Sequence, residues 1–169
     1  MNNWLKWLFA ALVWALIQVY LVDQLNIAWW IKPLPYVYFI FILPFDLNRF
    51  SNLVIAYFFG LIIDILSGSI GIHTASTLVT VFIKYFIDHR FFNLDSIQLQ
   101  GHRTINEYAI GRMSFLGYAW VIISIHHFLF FSLDYFSFTQ LPIAFLLSIS
   151  SSLVTLFIVF WATKLTKAP

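Results

Sequence analysis

Tyr57 to Thr80 reads YFFGLIIDILSGSIGIHTASTLVT: two apolar segments that meet at the turn Ser67-Gly68-Ser69-Ile70-Gly71, with one carboxylate, Asp64, inside the first. At helical spacing Ala56, Gly60, Asp64 and Gly68 share a face, a stripe of small residues around an acid. Small residues let a second backbone come close in a membrane. A charge at the bilayer centre costs roughly 2.5–3.5 kcal/mol even on insertion scales, so the acid needs a partner. The second segment carries its own polar stripe, His73, Thr77, Thr80 and Lys84. The expectation is a helical hairpin with the two polar faces packed on each other and a hydrogen bond between Asp64 and His73.

Working outward, the 169 residues are 62% hydrophobic and only 9% charged, with a mean hydropathy of +0.88. A soluble domain carries about 25% charged residues, so this chain reads as an integral membrane protein. The net charge of +2 includes no Lys/Arg run suited to phosphate, which argues against nucleic acid. There is no cysteine, which excludes disulfides and thiolate metal sites.

Taken in order, Trp4 to Val22 approaches the ~20 residues of a membrane crossing and is expected to be an uncleaved first span, with Gln18 bonded to a neighbouring helix. Trp29-Trp30-Ile31-Lys32-Pro33-Leu34-Pro35 is an interfacial loop of belt aromatics and prolines. The run Tyr36 to Phe45 is too short for an upright helical span; it is a short, tilted or re-entrant piece. Ser51 or Asn52 is a candidate N-cap for a third span over Leu53–Leu66. A fourth covers Ile72–Ile87, with Lys84 snorkelling to the surface. The polar stretch Asp88–Arg103 follows. Thr104 and Glu107 have capping-box spacing ahead of a fifth span, Met113–Leu133. Pro142 opens the sixth, whose Ser148–Ser152 and Thr155 offer hydroxyls as packing glue.

The expected class is therefore all-α: one transmembrane domain over residues 1–169, a polytopic bundle of six helices, with five possible. The positive-inside rule puts the Asp88–Arg112 loop and the C-terminus in the cytoplasm under either count. Arg90, Arg103 and Arg112, set among aromatics, read as contacts to anionic lipid headgroups or to a docked protein.

No catalytic set stands out. His126 and His127 are adjacent, about 100° apart on a helix, and cannot jointly hold one metal without a third element. Ser69 in Gly-Ser-Ile-Gly departs from the rhomboid protease order, and Asp64 has no second acid to form a dyad. Neither catalytic residue, metal nor cofactor is expected.

At Gly60-Leu61-Ile62-Ile63-Asp64, followed by Gly71-Ile72-His73, the chain resembles the rod-shape-determining membrane protein family MreD. The resemblance implies a non-enzymatic scaffold of the bacterial cell-elongation complex in the cytoplasmic membrane. Such a scaffold binds a bitopic membrane partner of MreC type and, through it, the glycan polymerase, the transpeptidase and the actin-like filament. Gly60, Asp64 and Gly71 are the family-type positions, and with His73 they are the structural or partner-contact candidates. The same architecture is shared with substrate-binding subunits of vitamin transporters. That offers an alternative, a capture subunit with an outward cavity lined by Trp29, Trp30, Asp64 and His73.

Overall fold

The structure is a computed structural model that describes residues 3–25 and 30–165. The described residues form helices and no strand. The first helix, α1 (Asn3–Leu16), runs on through a π-helical stretch, Ile17–Val22. A 3-10 turn at Pro35–Val37 leads into the short α2 (Tyr38–Ile42). The hairpin is α3 (Arg49–Ser67) and α4 (Ile72–Phe91). After the small helices α5 (Leu94–Leu99) and α6 (Glu107–Ile110) come α7 (Arg112–Tyr135) and α8 (Leu141–Leu165). Three helical stretches, Arg49–Ser67, Arg112–Tyr135 and Leu141–Trp161, are long and apolar enough to cross a membrane.

α3 packs on α4, α4 on α7 and α7 on α8, while α1 lies against α3. The short run from Leu34 to Phe41 fills the middle. Every residue of it is buried. Tyr38 meets Trp14 of α1, Phe39 meets Phe59 of α3, and Tyr36 touches both His73 of α4 and His126 of α7. Further on, Phe41 packs on Tyr118 and Phe115, and Lys32, just before the run, lies over Phe130. The chain thus follows α7 from Phe130 to Phe115, about 22 Å of helix at roughly 1.5 Å per residue. It is surrounded by protein, so its shortness does not require a thinned bilayer.

A segment that is only briefly helical leaves peptide groups unpaired, which an apolar interior does not tolerate. Side chains of the neighbouring helices supply the partners. On α8, the Ser150 hydroxyl donates to the Trp30 carbonyl (2.7 Å), Ser151 accepts from the Lys32 N–H (2.9 Å), and Thr155 accepts from the Leu34 N–H (3.0 Å). Gln18, on the π-helical part of α1, donates to the Pro33 carbonyl (3.4 Å), and Asn52 of α3 donates to the Pro44 carbonyl (3.0 Å). The hydroxyl patch of α8 is glue, but it holds irregular backbone as well as another helix, through Thr155 to His127 of α7.

Several expectations are corrected. α3 is capped by Asn48, which accepts from the Ser51 N–H at 2.7 Å, not by Ser51 or Asn52. α6 is capped by Asn106, which accepts from the N–H groups of Tyr108 and Ala109, so Thr104 and Glu107 form no capping box. Glu107 instead pairs with Lys164 and Arg112. Lys84 does not snorkel. It is 4% exposed and pairs with Asp88, one turn on in an α4 that runs four residues past its expected end. Nor do the two polar faces of the hairpin meet along their length: the α4 stripe turns inward, towards Tyr36, His126 and Tyr118.

Thr155→Val keeps the shape of the side chain but leaves the Leu34 N–H buried without a partner, which costs about 1–3 kcal/mol. Unfolding in detergent is expected to show that loss, and Ser150→Ala, which removes only the donor to a carbonyl at the rim, is expected to cost less.

Candidate functional site

Of the residues singled out from sequence, Gly60, Asp64, Gly71 and His73 converge on the α3–α4 turn. α3 ends at Gly68 (φ +69°), where the N–H groups of Gly68 and Ser69 both return to the Asp64 carbonyl, the latter at 3.0 Å. Gly71 (φ +76°) then starts α4 in a backbone region where a Cβ is strained. This tight reversal brings the Asp64 side chain under the first turn of α4. One carboxylate oxygen accepts from the His73 N–H (3.0 Å) and the Ser69 hydroxyl, the other from the Thr74 N–H (2.9 Å) and hydroxyl. The His73 ring adds Nδ1 at 3.0 Å.

An N-cap is normally supplied by the residue that begins a helix. Here Gly71 has no side chain to offer, and an acid from the preceding helix does the work. A negative group at a helix N-terminus also opposes the helix dipole. Five donors on one carboxylate account for a charge buried to 3% exposure.

Gly60, one turn before Asp64, is the point of closest approach: a Cβ there would lie 2.5 Å from the Thr74 Cα. Gly60, Asp64, Gly71 and His73 are therefore parts of a single lock between two helices. Ser69, which the sequence did not single out as part of it, joins through Asp64 and sits 2.9 Å from His73 Nδ1. Its signal is the Asp-x-x-x-x-Ser spacing across a glycine turn.

Ser, His and Asp side by side invite comparison with nucleophilic catalysis. There the imidazole takes the hydroxyl proton on one nitrogen and is oriented by the acid on the other. In this turn the hydroxyl and the acid both face Nδ1, and Nε2 is buried without a hydrogen-bond partner among the described residues. The geometry holds a hairpin; it does not activate Ser69.

Several other interior polar groups also bond to one another. Thr80 donates to the Ser76 carbonyl at 2.6 Å, so it accepts from His126 Nδ1 (3.0 Å). That leaves His126 Nε2 to accept from the Tyr36 hydroxyl at 2.7 Å. His127 turns away, donating from Nδ1 to the Ile123 carbonyl and accepting at Nε2 from Thr155 (3.1 Å). The two histidines share no partner, and no group of three metal-ligating residues occurs among the described residues. Towards the other end, Asp88 accepts from Lys84 and from the Tyr118 hydroxyl at 2.7 Å.

Of the loop arginines, Arg103 binds Asp46 (Nε to Oδ2, 2.7 Å) and Arg112 approaches Glu107 at 3.6 Å, while Arg90 is exposed. Trp30 is exposed and Trp29 lies outside the described residues. No protein-family model, curated protein or solved structure matches the chain.

Asp64→Ala leaves the His73 and Thr74 amides and the Thr74 hydroxyl without their acceptor, at about 1–3 kcal/mol for each donor that stays buried. Asp64→Asn keeps an acceptor and is expected to cost less. Gly60→Ala forces the helices apart, at about 1–3 kcal/mol. Thermal unfolding in detergent reads all three, and an Asp64→Ala protein that unfolds like the unaltered chain would refute the lock.

Proposed function

We propose that this chain is a non-enzymatic membrane scaffold with six crossings and both termini on the cytoplasmic side. In this reading it works through helix–helix contacts in the cell-elongation complex of a bacterial cytoplasmic membrane and binds a bitopic partner of MreC type. The observation that carries the scaffold reading is the use made of the interior polar groups. Asp64, His73, Asp88, His126 and His127 are each engaged with another part of the bundle, and Lys84 pairs with Asp88 on its own helix. Ionisable residues inside a membrane mark transport paths when they line a continuous water-filled passage or pair across a moving interface. These ones join neighbouring helices to each other and to the central run.

The sixth crossing is the run around α2. Its support is the passage along α7 and the supply of side-chain partners to its backbone, since irregular backbone at membrane depth is tolerated where protein surrounds it. The assignment to cell elongation rests on the resemblance at Gly60, Asp64, Gly71 and His73. The capture alternative has less support, because Asp64 and His73 are packed against Ser69, Thr74 and Tyr36.

Single cysteines introduced along the exposed faces of α3, α7 and α8 provide the test, since the chain has none of its own. Co-expressed with the MreC-type protein of the same cell, one helix face is expected to crosslink to it, and depletion of the chain is expected to turn rods into spheres. Unchanged cell shape together with tight binding of a vitamin-like compound by the purified chain alone would overturn the reading.

A further inference from the structure

The end of the bundle that carries α5 has an open cleft of about 370 Å³, formed where Phe45 and Asp46 face the α4–α5 corner at His89, Phe92 and Asp95. Phe45 and His89 also line a second, much smaller chamber of about 10 Å³, so the two adjoin. The small chamber lies between the end of the central run, α3 and α4. Leu43, Asn52, Val81, Lys84 and Asp88 are among its walls.

Three features of these walls bear on what the chamber holds. Asn52 donates its amide N–H to the Pro44 carbonyl, which fixes the direction of the amide and leaves Oδ1 buried with no partner among the described residues. The Lys84 ammonium has three N–H groups, and Asp88 is the acceptor it finds among the described residues. Asp88 itself already takes Lys84 on one oxygen and Tyr118 on the other. A donor with capacity to spare and an acceptor with none to serve it thus share one small space.

We infer that this chamber is a binding site for a single water molecule, which accepts from Lys84 Nζ, donates to Asn52 Oδ1 and arrives from the cytoplasmic side through the cleft. The size agrees. A site needs a cavity of roughly 10–15 Å³ and two to four polar partners to hold one water. Anything larger is excluded, and a bare cation is disfavoured beside the ammonium. The water ties α4 to α3 and, through the Asn52–Pro44 bond, to the end of the central run. It also hydrates a buried ion pair from one side.

X-ray hydroxyl-radical labelling of the full chain in nanodiscs, read by mass spectrometry, tests this, because radicals formed from a bound water oxidise side chains that bulk water does not reach. Leu43 and Val81 line the chamber at 1% and 3% exposure, and Ile40 and Ile63, at 0%, are not among its walls. Leu43 and Val81 are expected to be oxidised several-fold faster than Ile40 and Ile63, and Asn52→Leu, which fills the chamber, is expected to bring them down to the isoleucine level. Equal rates in the unaltered chain would overturn the inference even if Asn52→Leu failed to fold. So would Leu43 and Val81 rates unchanged in a folded Asn52→Leu protein.

Discussion

Backbone N–H and C=O groups cannot be left bare in an apolar interior, and the centre of this molecule is a chain segment that cannot satisfy its own. From Trp30 to Phe45 only one turn of 3-10 helix and five residues of α-helix are formed. Three of the surrounding helices make up the shortfall: α1 with its π-helical end, α3 and α8 present hydroxyls or amides at the level of unpaired peptide groups. This explains why α8, the most apolar of the spanning stretches, carries Ser150, Ser151 and Thr155 in its middle. It also explains why Gln18 sits in a π-helical stretch, a form that rotates a side chain out of the usual register.

The same economy governs α4. Its inward face is polar along most of its length: His73 at the Asp64 lock, Thr80 on His126, and Lys84 with Asp88 near the cleft. Buried ion pairs gain little over well-packed apolar residues, yet breaking one by removing a partner costs about 3–5 kcal/mol. Such groups penalise every wrong register of α4 against α3, α7 and the central run. The polar interior therefore specifies one arrangement among apolar surfaces that would otherwise slide.

Much of this was legible in the sequence. The α3–α4 turn is readable because two glycines, a short loop and the nine-residue interval from Asp64 to His73 leave little geometric freedom. The ends of α7 and α8 follow from polar residues that interrupt apolar runs. The central run was only partly legible. Its length excludes an upright lipid-exposed helix, but nothing local says that five neighbours enclose it, because their contacts come from residues far away in the chain. Lys84 misleads for a related reason. Snorkelling is the expectation for a lysine near a helix end, and it fails because α4 continues to Phe91 and places Asp88 within reach. At α3 and α6 several polar residues compete for each cap, and loop geometry chooses Asn48 and Asn106.

The central claim is that Leu34 to Phe41 is enclosed by protein on all sides. Labelling of the chain in proteoliposomes with a lipid-soluble photoactivated carbene, which inserts into side chains without needing an ionised group, tests it directly, with Phe9 and Phe157, both exposed on the outside of the bundle, as positive controls. The account predicts that none of the central positions reacts while both controls do. A helical period of reactive positions between Leu34 and Phe41 would mean that the run faces lipid, and would contradict it.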